Sequence, residues 1–147
     1  MNWVVVTWSC RLFIGGVLLA SALGKSLDLS GFVDILATYQ LFPDRVLWPL
    51  ALLIIGIEWV LAVWILTGWR LALGALIALS LNGVYATGLI ITLFRGLDLP
   101  NCGCYGVFFP QPLRWYSPLE DLVLVGIGYA LYVSAKRSET TLDKGTQ

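Results

Sequence analysis

The sequence has no histidine and little charge. Only 12% of its 147 residues are Asp, Glu, Lys or Arg, against about 25% in a typical soluble domain. Half the usual charge cannot cover a globule with polar surface, so a soluble single domain is the wrong class. The missing histidine excludes Ser–His and Cys–His catalytic pairs, a His-ligated haem and a His-bearing zinc site. Nine basic residues cancel nine acidic ones, which leaves no polybasic footprint for nucleic acid. What the chain does have is hydrophobicity, at 59% of its residues, and that points to a membrane.

A spanning helix needs about 20 mostly apolar residues. Four stretches come close, at residues 3–23, 46–66, 71–94 and 119–135; the last is short and opens on Glu120 and Asp121. In lipid every backbone group must be paired within its own segment, so these are helices. The expected fold is all-α, a four-helix transmembrane bundle in one domain, 1–135, followed by a polar, mobile tail, 136–147. Between the first two spans, Phe32, Ile35, Leu36 and Tyr39 recur at helical spacing. They predict a short amphipathic interfacial helix with Ser30 as N-cap and Pro43 beyond its end. Ala20-Ser21-Ala22 has the look of a signal-peptide cleavage site. Met1-Asn2 gives no basic n-region, however, and Arg11 interrupts the apolar run, so the segment is expected to stay as a span. Gly16/Ala20, Gly74/Ala78 and Gly126/Ala130 are small-xxx-small pairs that fit close helix packing. Trp3, Trp8, Trp48, Trp69 and Trp115 lie near span ends, as an aromatic belt places them.

Charges inside a span are expensive and usually paired. Arg11 lies about 10 Å below the terminal side and Glu58 about 12 Å below it, counting helix rise through a core about 30 Å thick. An Arg11–Glu58 ion pair between the first two helices is therefore expected. It either fixes helix register or lines a polar pocket for a ligand head group or a proton path. Asn82 and Tyr85, mid-span, are read as interhelical hydrogen-bonding groups. Cys10 is too far from the other cysteines to pair and is read as a small buried side chain. Basic residues divide evenly between the two sides until Arg11 is counted, which tips the termini toward the cytoplasm.

Most of the chemistry lies in the third connection, 95–118, with four of the six prolines and Cys102-Gly103-Cys104-Tyr105-Gly106. Two cysteines one residue apart can close a small, strained disulfide ring, which is easily reduced and so oxidising. Pro100, Asn101 and Gly106 around it suggest a tight, exposed turn. Other readings stay open: a structural staple, which gains little entropy from so short a loop, capture of a soft metal, or inert thiols. Redox exchange leads among them. Glu120 and Asp121, just beyond, either complement the helix N-terminus or exchange protons with a nearby thiol.

These residues together resemble the MauE family of methylamine utilisation and the wider DoxX-like set of small four-helix membrane proteins. The resemblance covers residues 9–135. It rests on Arg11, Gly24-Lys25, the stretch around Phe32, Pro49 and Glu58, and above all the Cys102–Gly106 motif. The chain departs from the family pattern at Tyr105, usually phenylalanine, and at Glu120, often basic. The resemblance implies a redox-associated maturation factor of the bacterial inner membrane, with the cysteine loop periplasmic and Cys102 and Cys104 exchanging with a thioredoxin-like partner. It also implies a quinone in the bundle, near Arg11, Glu58 or the outer helix ends. The rival functions are a non-catalytic subunit or assembly factor of a larger membrane complex, and a transporter of a soft metal or small sulfur species.

Overall fold

The computed structural model describes residues 3–108 and 110–144, without the side chains of Trp3 and of residues 139–144. Among the described residues there are five helices and no strand: α1 Trp3–Leu27, α2 Leu29–Thr38, α3 Asp44–Thr67, α4 Leu71–Phe94 and α5 Ser117–Lys144. α1, α3, α4 and α5 are long and apolar enough to cross a bilayer. Only 22% to 33% of each one's apolar stretch is buried. Apolar side chains such as Leu12, Leu52, Val60, Val84 and Val123 stand on the outer surface. A helix that is apolar all round and buried on one stripe has lipid as its other neighbour. The fold is thus the expected four-span bundle with a short extra helix.

Three apolar clusters hold it. Ile14, Leu18, Leu61, Ile65, Ala78 and Leu131 bring all four long helices together. Phe32 and Val33 seat α2 on Leu47, Ala51 and Ile55 of α3. Leu99, Cys102 and Leu113 seat the cysteine connection on Leu89 of α4. α2 therefore packs against α3 as well as being amphipathic. Its N-cap is Asp28, whose carboxylate accepts from the Gly31 N–H at 2.9 Å. Ser30, the expected cap, instead donates its hydroxyl to the same carboxylate. α1 runs on to Leu27, so the cap falls in the one-residue break before α2.

Other expectations are revised. Of the small-residue pairs only Gly74/Ala78 faces inward, with α3 at Ile65 and Trp64 close to Gly74. Gly16 and Gly126 face open space. The glycines at helix contacts are Gly15, against Leu66, and Gly128, against Leu79. α5 runs on through Lys144, into the polar stretch that follows the fourth span; residues 145–147 lie outside the described residues. Trp8 and Trp69 are exposed at one end, and Trp48 and Trp115 at the other, in keeping with interfacial belts. The Trp3 side chain lies outside the described residues.

α3 and α4 touch beside their turn, where Gly68 ends α3 in the left-handed conformation (φ 77°) with its N–H on the Trp64 carbonyl. Toward the other end a cavity of about 290 Å³ separates them. α2, residues 39–42 and the cysteine connection close that end of the bundle.

Candidate functional site

The site is assembled on α1. Ile14, Leu18, Ser21 and Lys25 follow one another on one helical stripe, and all are buried. The stripe begins apolar and ends polar. Lys25 is 3% exposed and Glu58, in the middle of α3, is 0% exposed. Lys25 Nζ lies 2.5 Å from Glu58 Oε1 and donates also to Ser21 Oγ at 2.9 Å. Tyr85 of α4 donates its hydroxyl to Glu58 Oε1 at 2.8 Å. Ser21 Oγ lies 3.0 Å from Glu58 Oε2 and 2.7 Å from the Cys104 carbonyl, so its one proton has two acceptors. Three helices and the cysteine loop thus meet on one charge pair.

Glu58 is paired in the membrane, but not with Arg11. Arg11 donates Nε–H to the Ile65 carbonyl at 2.9 Å and a second N–H to Leu66, and lies over the Trp8 ring. These are the free carbonyls of the α3 C-terminus, where a cation is favoured. Depth counted from helix ends misled because α1 starts well beyond the end of α3. Arg11 is already level with that end, while Ser21, about 15 Å further along the helix rise, is level with Glu58. Arg11 therefore lies at the opposite end of the bundle from the cysteines. Lys25 lies beyond the 3–23 stretch expected to span, so its place as the partner of Glu58 was missed although Gly24-Lys25 was noted in the family resemblance. Its signal was its place on the 14–18–21–25 stripe.

The cysteine loop does not sit on an exposed turn. Cys102 is 6% exposed and Cys104 half-buried. The loop closes on itself, with the Cys102 N–H on Gln111 at 2.7 Å and the Leu113 N–H on Leu99 at 2.9 Å. Asn101 Oδ1 accepts from the Gly103 N–H at 2.9 Å, and the Tyr39 hydroxyl donates to the Cys102 carbonyl at 2.5 Å. Gly103 (φ 72°) turns the chain against Ile35. Gly24 of α1 and Gly106 of the loop meet backbone to backbone, and a Cβ on either would strike the other segment. Glycine at these two places lets the loop dock directly on the end of α1.

Cys102 and Cys104 are free thiols with their sulfurs 2.8 Å apart. They titrate as a unit. A hydrogen bond from the Cys104 thiol favours the Cys102 thiolate and lowers the Cys102 pKa, against the opposing effect of burial. Cys104 is held up by giving that hydrogen bond, then by burial and the negative charge beside it, with Lys25 acting the other way. Of the two acidic residues at the start of α5, Glu120 is exposed and Asp121 is 6% exposed. Asp121 lies close enough for its charge to act on both thiols. Its Oδ2 is the buried side-chain polar atom without a hydrogen-bond partner among the described residues.

Asn82 bonds within its own helix, to the Ala78 carbonyl; Tyr85 makes the cross-helix bond expected of it. Cys10 packs against the central cluster, far from the loop. Among the described residues no group of three His, Cys, Asp or Glu gathers as a metal site.

Fold and site together define a class: a multi-pass membrane protein in which a closely spaced thiol pair is packed over a buried charge pair. Known proteins narrow it. The family described as methylamine utilisation protein MauE matches residues 1–134, and the chain belongs to that family. It is similar to the methylamine utilization protein MauE of Paracoccus denitrificans, 28% identical over 86% of this chain and 68% of that one. It is similar also to the proteins of that name from Paracoccus versutus, 25% identical over 97% and 77%, and Methylophilus methylotrophus, 28% identical over 92% and 70%. No solved structure matches the chain.

Proposed function

We propose that the chain is a membrane thiol–disulfide exchange factor that serves maturation of a disulfide-bearing protein through a thioredoxin-like partner. The observation that carries this reading is the unequal thiol pair: sulfurs 2.8 Å apart, one buried and one half-buried, with opposite pKa displacements. The inequality gives the exchange a direction. In the oxidised pair a partner thiolate attacks the Cys104 sulfur, because Cys102 is the better leaving group of the two. Attack there forms a mixed disulfide and breaks the Cys102–Cys104 bond. Cys102 leaves as the thiolate its surroundings favour, and a low-pKa thiol leaves faster. The partner's second thiol then displaces Cys104. The partner ends as a disulfide, this chain as a dithiol, and two electrons have moved. The relatives' names suggest a client in methylamine use.

Charge placement supports an outward-facing cysteine loop in a bacterial inner membrane. Lys25 is buried against Glu58, so it does not count as a loop charge. Arg45, Arg95 and Arg114 remain on the cysteine side, against Arg11, Arg70, Lys136 and Arg137 at the other end. That asymmetry favours cytoplasmic termini and a periplasmic loop, a compartment where disulfides persist.

Trapping tests the reading. In a Cys10→Ala background, Cys102→Ser leaves the Cys104 thiolate to attack the partner's own disulfide, expelling the partner's second thiol, and removes the sulfur that would resolve the product, so an adduct between Cys104 and an oxidised thioredoxin-fold protein is expected to accumulate, seen on non-reducing gels and identified by mass spectrometry. Cys104→Ser is expected to give none. Absence of an adduct from both variants sinks the proposal. A Cys102→Ser/Cys104→Ser chain that still supports maturation would favour the non-catalytic assembly factor.

A further inference from the structure

The exchange has an easy half and a hard half. Cys102 leaves first. Cys104 leaves second, when the partner closes its own disulfide. Cys104 holds its proton strongly: it gives a hydrogen bond to Cys102, and burial and the negative charge beside it act in the same sense. A sulfur of that kind is a poor leaving group as a bare thiolate. A proton that meets it as the bond breaks removes the difficulty.

Asp121 has the chemistry of a donor. It is 6% exposed, and its Oδ2 is buried with no hydrogen-bond partner among the described residues. It lies one turn into α5, beyond the N–H groups that a cap serves. A bare carboxylate oxygen out of water is costly, and ionisable groups in such surroundings are found where a proton is moved. Its charge acts on both thiols. Other ionisable side chains share its field: Lys25 of α1, Tyr39 after α2, Glu58 of α3, Tyr85 of α4, Tyr105 of the connection and Glu120 beside it. Lys25 and Tyr85 donate to Glu58, and Tyr39 donates to the Cys102 carbonyl. Glu120 is exposed. Tyr105 is a phenol, a much weaker acid than a carboxyl. Among the described residues, Asp121 is the buried acid near the thiols that is left uncommitted.

From these features we propose that Asp121 gives the proton to Cys104 when that sulfur leaves the mixed disulfide. This rests on the thiol–disulfide reading. Atoms and electrons balance. The partner's second sulfur bonds to its first, the bond from the first to Cys104 breaks, and Cys104 keeps the electron pair. The Asp121 O–H breaks and the Cys104 S–H forms, directly or across one water. Asp121 is left as a carboxylate and recovers a proton from the water that Glu120 faces. The pair ends with the Cys104 S–H beside the Cys102 sulfur, 2.8 Å away, which is the arrangement in the structure.

Mercaptoethanol isolates the step. In a Cys10→Ala/Cys102→Ala chain purified in detergent, hydroxyethyl disulfide first caps Cys104 with mercaptoethanol as a mixed disulfide. Excess 2-mercaptoethanol then uncaps it. Attack on the Cys104 sulfur only swaps one mercaptoethanol for another, so the free thiol appears only when Cys104 leaves. Its rate, read by intact mass and divided by the mercaptoethanol thiolate concentration, is followed from about pH 5 to about pH 8. The rate is expected to fall as the pH rises, because Asp121 loses the proton it gives. In Asp121→Asn it should be flat and, at the acid end, about a hundredfold lower, the lower end of what proton transfer contributes. Asp121→Leu is a second removal variant should the first fail to fold, and Asp121→Glu should restore part of the rate and its slope. Thermal ramps separate chemistry from structure: Asp121→Leu removes a polar oxygen without a partner, so its Tm should equal or exceed the parent's. An unchanged rate in Asp121→Asn overturns the proposal. So does a fall with pH that survives in that variant, which would belong to another group such as Glu58, or a loss of rate that only follows a loss of Tm. Failure of Cys104 to take up or release mercaptoethanol in the Asp121-bearing chain would instead sink the thiol–disulfide reading, and this inference with it.

Discussion

Lys25→Met is the sharpest probe of the charge pair. Methionine keeps most of the apolar stem and removes the ammonium. Glu58, with its side chain 1% exposed, would then hold an unpaired charge amid Tyr85 and Ser21. Breaking a buried pair from one side costs about 3–5 kcal/mol. At about 2–4 °C per kcal/mol for a chain of this size, Tm should fall by roughly 6–20 °C. Adding Glu58→Gln in the same chain removes the stranded charge. The amide still accepts from Tyr85, and replacing both partners of a buried pair is often close to neutral. The double variant should therefore recover more than half of the loss. A thermal ramp of detergent-solubilised, reduced protein followed by intrinsic fluorescence measures this, because the chain carries seven tryptophans whose surroundings change on unfolding. Two results would refute the reasoning: a single variant within about 2 °C of the parent, less than one kcal/mol, or a double variant less stable than Lys25→Met alone.

Two further expectations follow from the geometry. Arg11→Leu removes charged hydrogen bonds to the Ile65 and Leu66 carbonyls and should cost about 1.5–3 kcal/mol, read as a lower Tm. Diamide oxidation of Cys102 and Cys104 at the far end should keep its rate; a slowed reaction would show that the two ends are coupled. In a Cys10→Ala background, alkylation of Cys102 should begin at lower pH than for an ordinary thiol, because the Cys104 S–H stabilises the thiolate. Cys104→Ala removes that donor, so the midpoint of the alkylation–pH curve should move up. A midpoint that stays or falls would show that the hydrogen bond does not set Cys102 acidity.

The spans were legible because lipid demands long apolar runs, and nothing else in the chain competes with that demand. The third span matches α4 residue for residue. The cysteine motif was legible for a different reason: in a chain without histidine, two thiols one residue apart are the most reactive group available. The errors share one physical cause. Hydropathy marks where apolar residues are, but helices end where capping and packing end them. α1 passes Leu23, and the extra turn carries Lys25 inside. Glycine pairs gave the wrong faces because spacing says which residues share a stripe and not which stripe faces protein.

The same distinction explains why the pair at the heart of the site was assigned to the wrong partner. Arg11 and Lys25 are both cations on α1, and each solves a different problem. An arginine near a helix end can satisfy two carbonyls at once with its fork of donors, so Arg11 goes to the end of α3 with its head near the interface. A lysine offers a compact charge with three donors, which suits a single carboxylate oxygen and a neighbouring hydroxyl. Placing it at the inner end of an apolar stripe puts the charge where the cysteine loop docks, one hydroxyl away from the Cys104 backbone. The burial of Lys25 and Glu58 is thus tied to the position of the thiols. The loop cannot dock without Gly24 beside Lys25, and the charge pair is covered by the loop that it helps to hold.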